Sequence, residues 1–396
     1  MDAKVVLLVI FFVVSVKCDE KVLKQVVILS RHNVRTPLAK NLGIMTPKPW
    51  PRWKEKSGYL TQKGALLEGY MGTYFSAWLN EEKLLPNRCP NKEEIYVYAN
   101  VKQRTRASAQ AFVKGAFPGC NVTVHHNDSD KMDPIFNPVI HNNTSVFIQI
   151  AIEEMQQRLK SLQLNSSYED IANILDYKNS EICKKEKKCD LITDLNKIIN
   201  IEQGLKPNIN GPLKISNSAI DAFIMEFYEG FENVAWGLLS DVKKWDKIMQ
   251  LSRGYHNVIF NTSLIAKDIS KPLVDYMSEI FLNNDSVPKV ILLMGHDANM
   301  YTVLNGIGFK PYTLPHQEEI TPVGGKIVFQ RWYDVTNKRD LLKINYVYQS
   351  RMQLRNGEQL SLKNPPQYVV LELENCKIDS NGFCLWKDFV KILNKC

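Results

Sequence analysis

Two common motifs of protein zinc sites are missing from this sequence. Neither Cys-x-x-Cys nor His-Glu-x-x-His occurs among its 396 residues, so disulfides explain its clustered cysteines better than zinc does. It contains no internal repeat and no low-complexity segment, which argues against a repeat protein. No stripe of basic residues with interleaved aromatics is present, and lysine-rich patches such as residues 184–188 also contain acids. We therefore expect neither a zinc site of these kinds nor a nucleic-acid partner.

Long hydrophobic segments are also missing. The apolar run at residues 5–14 contains ten residues, whereas a helix needs about twenty to cross a bilayer. Lys4 precedes this run, and a short polar stretch that ends at Cys18 follows it. The pattern predicts a secretory signal peptide over residues 1–18 and no membrane anchor. The alternative is a lipid-modified Cys18, which the bulky Lys17 disfavours.

The balance of charge is modest for a chain of this length. Without residues 1–18, which hold two lysines and one aspartate, the chain has 48 basic and 41 acidic side chains, a formal charge of +7. Such an excess gives a mild attraction for anionic substrates. The length predicts two domains, or one large domain with an insertion.

The cysteines and sequons indicate an oxidising compartment. Two close cysteine pairs predict short disulfide loops: Cys183 with Cys189, and Cys376 with Cys384. Cys89 and Cys120 make a third predicted pair. Cys396 is left over, either as a free thiol or as the bridge of a homodimer. Seven asparagines lie in glycosylation sequons: Asn121, Asn127, Asn142, Asn143, Asn165, Asn261 and Asn284. We expect a secreted, extracellular protein, or a periplasmic one if the source is bacterial.

Three short apolar runs predict buried strands, each followed by unusual polar residues. Residues 25–30 lead into Arg31, His32 and Arg35; residues 95–99 lead into Arg104; residues 290–294 lead into His296 and Asp297. Ligands of an open parallel sheet bind beyond the carboxyl ends of its strands. The three runs therefore predict one crevice that collects these side chains.

The remaining pattern predicts an α/β fold with a helical insertion. Thr61 and Thr105 are predicted to cap helices that follow the first two strands. Residues 137–267 show helical periodicity with no buried strand, whereas residues 326–334 and 341–349 alternate as a hairpin. We predict a mostly parallel sheet with helices on both faces, built from residues 19–136 and 268–396. An all-α cap domain over residues 137–267 would cover the crevice.

The residues at this crevice are suited to phosphate chemistry. Arginines match phosphate oxygens, and the neutral imidazole of His32 between Arg31 and Arg35 can attack phosphorus. Arg104 adds charge, His296 can donate a hydrogen bond, and Asp297 can protonate the leaving group. The alternatives are an exposed basic turn for the first motif and a helix cap with a core histidine for the last. The other histidines are interpreted as surface or core residues: His125, His126, His141, His256 and His316.

These motifs resemble those of the histidine acid phosphatases. The shared features are Arg-His-x-x-Arg-x-Pro at residues 31–37, a downstream arginine, and His-Asp late in the chain. Asn33 replaces the commoner glycine, as it does in the subgroup of bacterial periplasmic glucose-1-phosphatases. Resemblance to that subgroup extends along nearly the whole chain after residue 18, including the three cysteine pairs. It is carried by residues 30–33, 96–105, 117–120, 132–134, 136–140 and 324–332.

The resemblance implies a phosphohistidine intermediate, no metal or other cofactor, and activity on sugar phosphates such as glucose 1-phosphate and often on phytate. By position, it implies His32 as nucleophile, Asp297 as proton donor, and four phosphate-binding residues: Arg31, Arg35, Arg104 and His296. Lys206, with Glu202 nearby, stands where the subgroup has an acidic residue that faces the sugar. A basic residue there would favour more highly phosphorylated substrates.

Two other functions fit the same residues. A phosphotransferase such as a mutase also uses phosphohistidine, but the predicted signal peptide argues against it. A non-catalytic secreted protein of this fold would capture ligands without turnover. Degenerate enzymes usually lose the nucleophile or the proton donor, whereas His32 and Asp297 are both present.

Overall fold

The computed structural model describes residues 21–129, 131–283 and 288–395. The predicted signal peptide, Cys396 and the sequon at Asn284 lie outside these ranges. The strands are β1 (Lys21–Arg31), β2 (Ile95–Ala99), β3 (Val124–His125), β4 (Lys197–Ile199), β5 (Asn208–Asn210), β6 (Val290–Gly295), β7 (Lys326–Asp334), β8 (Arg339–Tyr348), β9 (Gln367–Val370) and β10 (Phe383–Leu385). The α-helices are α1 (Gln62–Glu81), α2 (Gln103–Ala116), α3 (Ser145–Ser161), α4 (Asn165–Leu175), α5 (Glu181–Glu186), α6 (Pro212–Glu229), α7 (Val242–Phe260), α8 (Ser263–Leu282), α9 (Asp297–Gly306), α10 (Arg351–Asn356) and α11 (Trp386–Leu393).

The central sheet confirms the α/β class but is mixed. Its strand order in the described chain is β10-β8-β7-β1-β6-β2-β3, with β9 also paired to β8. β1, β6, β2 and β3 run parallel, whereas β7 to β10 add antiparallel pairs. The prediction of a mostly parallel sheet is therefore wrong. The predicted hairpin of β7 and β8 is confirmed, and its short turn permits only antiparallel pairing.

β1 lies at the middle of the sheet because both of its faces are apolar. Val26 and Ile28 pack on one side with α1 and α2, and Val27 and Leu29 pack on the other with α8, α9 and α11. This alternation follows from the two-residue repeat of a strand. Gly115 allows α1 and α2 to approach, because a Cβ there would lie 1.9 Å from the Gly69 carbonyl oxygen. Helices thus cover both faces, as predicted.

The insertion is mostly helical, but it is not all-α. β4 and β5 pair as a small antiparallel sheet within it. Each of these strands has only three residues, and their polar positions hide the alternation from a search for buried runs. α8 crosses the predicted boundary between residues 267 and 268: Ile265 and Ile269 pack in the core of the insertion, and Met277 packs beneath the sheet. The division into two domains itself stays a prediction.

Disulfides join the three predicted cysteine pairs: Cys89 with Cys120, Cys183 with Cys189, and Cys376 with Cys384. Such bonds persist in oxidising compartments. Among the described helices, none has the length and hydropathy that a membrane crossing requires.

Candidate active site

A cavity of about 300 Å³ lies where β1, β2 and β6 end, between the sheet and the insertion. The six residues predicted from the strand ends all line it: Arg31, His32, Arg35, Arg104, His296 and Asp297. We call the first five of these the phosphate wall. Other lining residues come from the insertion, and five of them form what we call the cap wall: Lys206, Asn217, Ser218, Tyr255 and His256.

His32 is buried, and its ring orientation is fixed. Its Nδ1 lies 2.8 Å from the carbonyl oxygen of Asn33. Because a carbonyl only accepts, Nδ1 carries the hydrogen and Nε2 keeps its lone pair. Burial and the charge of Arg104 hold the pKa of His32 well below its usual range. The imidazole is therefore neutral, with Nε2 available as a nucleophile in the cavity.

A buried polar network holds Asn33 behind the nucleophile. The Asn33 side-chain nitrogen donates to Glu68 at 2.9 Å, and Lys326 donates to the other oxygen of that carboxylate at 2.6 Å. Lys326 also donates to Ser30 at 2.8 Å, and the Asn33 backbone N–H donates to Ser108 at 3.1 Å. Neither Glu68 nor Lys326 is accessible to solvent. The network fixes the carbonyl that orients His32.

Arg31 and Arg35 are buried beside carboxylates. Arg31 donates to Glu319 at 2.8 Å, and Asp297 lies 3.8 Å away. Burial opposes its charge, yet these two carboxylates raise the pKa of Arg31 further. Arg35 forms a two-pronged pair with Asp221 of α6, at 2.8 and 3.0 Å. Within the described chain, the Nε atoms of both arginines are buried without a hydrogen-bond partner.

Arg104 and His296 meet at the edge of the phosphate wall. Asn100 donates its side-chain N–H to His296 Nε2 at 2.8 Å, which assigns the ring hydrogen to Nδ1. That Nδ1 lies 3.3 Å from Arg104 Nη2, so two donors face each other. An anionic oxygen beside the two nitrogens would accept from both. Burial and the nearby Arg35 lower the pKa of Arg104 to about 10.

α2 begins earlier than predicted. Its first residue is Gln103, and its N-cap is Lys102. Thr105 is therefore not the cap. Its hydroxyl lies 2.6 and 2.7 Å from the carbonyl oxygens of Asn100 and Lys102, which share its single hydrogen. The predicted cap at Thr61 is confirmed, since its hydroxyl accepts from the Gly64 N–H at 2.9 Å.

Asp297 is the first residue of α9 and lies between the two walls. Its side chain is 30% exposed, and its Oδ1 accepts from its neighbour's N–H, that of Ala298, at 2.8 Å. Burial raises the pKa of Asp297, but the charges of Arg31 and Lys206 outweigh that effect and hold it well below its usual range. Among these side chains alone, Asp297 is therefore ionised.

The residues predicted to contact the leaving group are found on the cap wall only in part. Lys206 lines the cavity, with Nζ 5.1 Å from the centre of the Phe260 ring. Glu202 is exposed and does not line the cavity. His256 does line it, contrary to the interpretation of that histidine as a surface or core residue. Asp221 was not predicted, because it is one polar position in a helical pattern and carries no local signal.

A neutral histidine among guanidinium groups, with an aspartate beside them at the edge of the second wall, is the arrangement of a phosphohydrolase that works through histidine. The chain belongs to the histidine phosphatase superfamily (branch 2), whose family model matches residues 22–348. It is a histidine acid phosphatase, which confirms the family predicted from the motifs.

Similar proteins cover nearly the whole chain. The glucose-1-phosphatase of Providencia rettgeri is 46% identical over 386 residues, which are 95% of this chain and 92% of that protein. Phytase AppA of Escherichia coli is 28% identical over 398 residues, covering 94% and 91%. Among solved structures, the phytase of Citrobacter braakii superposes with a TM-score of 0.87 at 28% identity, covering 95% of this chain and 98% of that one.

Proposed function

We propose that this protein hydrolyses phosphate monoesters of sugars, such as glucose 1-phosphate, through a phosphohistidine on His32. The glucose-1-phosphatase of P. rettgeri, at 46% identity, supports this substrate class. We also propose that the protein is secreted. The disulfides and the apolar run at residues 5–14 support secretion.

The observation that carries the proposal is the fixed, neutral His32 among buried guanidinium groups. Its Nδ1 is committed to the Asn33 carbonyl, so Nε2 is the reactive nitrogen. The buried Nε–H groups of Arg31, Arg35 and Arg104 lack partners within the described residues. An unsatisfied buried donor is costly, and a phosphoryl group in the cavity would satisfy such donors.

The reaction proceeds in two displacements. His32 Nε2 attacks phosphorus, the bond from phosphorus to the sugar oxygen breaks, and Asp297 gives its proton to that oxygen. A water molecule then attacks the phosphohistidine and gives a proton to the Asp297 carboxylate. Phosphate leaves, and His32 is neutral again. Arg31, Arg35, Arg104 and His296 hold the phosphoryl oxygens in both steps.

Asp297 must gain a proton before it can act as the acid. Arg31 and Lys206 keep its pKa low. A bound phosphate neutralises Arg31 and places negative charge beside the carboxylate, and both effects raise the pKa of Asp297. Substrate binding therefore prepares the proton donor, and acidic pH favours this step.

A second substrate class is supported by Lys206. This ammonium group lines the cavity on the leaving-group side and adds positive charge there. Such a charge suits a substrate with several phosphates, and phytase AppA of E. coli is 28% identical to this chain. Phytate is thus the second candidate substrate.

His32→Ala tests the proposed nucleophile. We expect kcat for both glucose 1-phosphate and an aryl phosphate to fall by several orders of magnitude at about pH 5. His125→Ala is the matched control, because His125 is exposed and does not line the cavity. Substantial phosphatase activity of His32→Ala would reject the assignment. A flat progress curve for the wild type would instead favour the ligand-binding protein, and mutase activity on phosphoglycerates would favour the phosphotransferase.

A further inference from the structure

The cap wall is made mainly of uncharged polar groups. α6 contributes Asn217 and Ser218, and α7 contributes Tyr255 and His256. Arg253 also lines the cavity, but Asp246 holds its guanidinium group at 3.0 Å. Amides, hydroxyls and a neutral imidazole bind hydroxyl groups well. This wall is therefore better suited to an alcohol than to a second phosphate, apart from the ammonium group of Lys206.

His256 is held in one orientation by aromatic stacking. Its ring lies parallel to the ring of Tyr301, with centres 4.8 Å apart and planes at 7°. The ring of Phe260 stacks on it as well, at 6.0 Å and 22°. Tyr301 lies four residues after Asp297 on α9, about one helical turn. The stacking thus fixes the imidazole relative to the proton donor.

The hydrogen bonds of His256 leave one nitrogen for a ligand. Nδ1 lies 2.8 Å from the carbonyl oxygen of Ser252, so Nδ1 carries the hydrogen. Within the described chain, no hydrogen bond is made by Nε2. Burial lowers the pKa of His256, and the charges of Arg31 and Lys206 lower it further. Asp297 and the Ser252 carbonyl raise it, but the net effect is a lowered pKa. The neutral ring therefore presents a lone pair at Nε2.

The position of His256 identifies the part of the substrate that it meets. In the proposed function, the phosphoryl group lies on the phosphate wall and Asp297 touches the leaving oxygen. His256 lines the same cavity from α7, an element that contributes nothing to the phosphate wall. The leaving alcohol, rather than the phosphoryl group, therefore lies beside its ring.

We propose that His256 is a specificity-determining residue that accepts a hydrogen bond, through Nε2, from a hydroxyl of the sugar leaving group. This inference rests on the proposed function and deepens it. The preferred substrates are then phosphate monoesters of polyhydroxylated alcohols, because a plain aryl leaving group offers no donor to this nitrogen.

The test compares two substrates in the variant His256→Phe. Phenylalanine keeps the stack on Tyr301 and removes Nε2. We expect kcat/KM for glucose 1-phosphate to fall about tenfold, mostly through KM, since one lost hydrogen bond accounts for about that factor. For phenyl phosphate, which has no free hydroxyl, kcat/KM should stay within about twofold. His256→Gln, which keeps an oxygen acceptor, should recover part of the loss.

The control and the outcomes separate the inference from the proposed function. His125→Phe makes the same chemical change on a ring that stacks on Tyr96 outside the cavity. It should leave kcat/KM unchanged for both substrates. Equal losses for the two substrates, or no loss for either, would overturn the role of His256. If the wild type hydrolyses neither substrate, the proposed function fails and the inference fails with it. His256→Leu provides the same comparison if the phenylalanine variant does not fold.

Discussion

The two walls of the cavity differ in how they are built. The phosphate wall comes from short segments at the ends of three adjacent strands, and hydrogen bonds to protein groups hold four of its residues: Arg31, His32, Arg35 and His296. The cap wall takes two residues from α6, two from α7 and Lys206 from the segment between β4 and β5, and Lys206 is exposed. The phosphate wall is therefore preorganised for one chemical group.

This difference has a functional meaning. Every phosphate monoester presents the same phosphoryl group to the phosphate wall, whereas leaving groups differ in size, charge and hydroxyl content. Substitutions behind the phosphate wall should therefore lower the stability of the protein, or lower kcat for every substrate. Changes on the cap wall should alter the ratio between substrates.

Asp297→Asn should give the largest change in kcat among these variants, because Asp297 protonates the oxygen that joins the phosphoryl group on one wall to the leaving group on the other. We expect kcat for glucose 1-phosphate to fall by about 10²- to 10⁴-fold, since the sugar oxygen needs a proton to leave. An aryl phosphate with an acidic leaving group should lose much less. Steady-state kcat for the two substrates measures this, and equal losses would contradict the role of Asp297 as proton donor.

Glu68→Leu tests the network behind the phosphate wall. It leaves the ammonium group of Lys326 buried and unpaired, and removing one partner of such a pair costs about 3–5 kcal/mol of unfolding free energy. Denaturant unfolding measures this change.

The double variant Glu68→Leu with Lys326→Met should recover much of that stability. Its kcat should stay reduced, because Asn33 has lost its acceptor. Glu181→Leu, at an exposed pair with Lys185, is the matched control and should have little effect. Equal instability of the single and double variants would mean that the buried charge is not the cause.

Glu226→Gln tests whether a buried carboxyl group of the insertion makes the stability of the protein depend on pH. Glu226 of α6 is buried and accepts from the Ala235 N–H at 3.0 Å. Burial raises the pKa of Glu226 to about 7 from 4.5. The unfolded chain therefore loses this proton first, and stability falls as the pH rises from about 4.5 to about 7.

At about pH 8, Glu226→Gln should be more stable than the wild type by about 3 kcal/mol, and at about pH 4 the two should be nearly equal. Thermal unfolding across this pH range measures the difference. A difference that does not change with pH would show that Glu226 titrates normally.

Lys206→Glu should give the smallest effect, a change in substrate ratio. The variant reverses a charge on the leaving-group side, so kcat/KM for phytate should fall relative to kcat/KM for glucose 1-phosphate. We expect this ratio to fall about tenfold, which corresponds to about 1.4 kcal/mol. Glu202→Lys is the control, because Glu202 does not line the cavity. If Lys206→Glu leaves the ratio unchanged, Lys206 does not meet the leaving group.

The difference between the two walls also explains which residues of the site could be predicted from the sequence. His32 and Asp297 were identifiable because each follows a short apolar strand, and parallel strand ends converge. The antiparallel half of the sheet was underestimated. Its hairpin was recognised, but nothing in the local pattern indicated that β7 would pair with β1.

Long-range partners left no local signal. Glu68 and Lys326 are 258 residues apart, and each is a single charged residue in an otherwise ordinary helix or strand pattern. Asp221 and His256 likewise occupy polar positions of amphipathic helices, where a solvated face is the usual interpretation. Only the folded chain shows that these side chains meet Arg35 and the cavity.

The most direct test of the central claim is to trap the phosphoenzyme. Glucose 1-phosphate with a labelled phosphoryl group is mixed with the enzyme and quenched in alkali within one turnover, and the labelled peptide is identified by mass spectrometry. We predict an acid-labile label on His32, in an amount that approaches one per active site. A label on any other residue, or continued turnover with no labelled enzyme at any time point, would contradict the account.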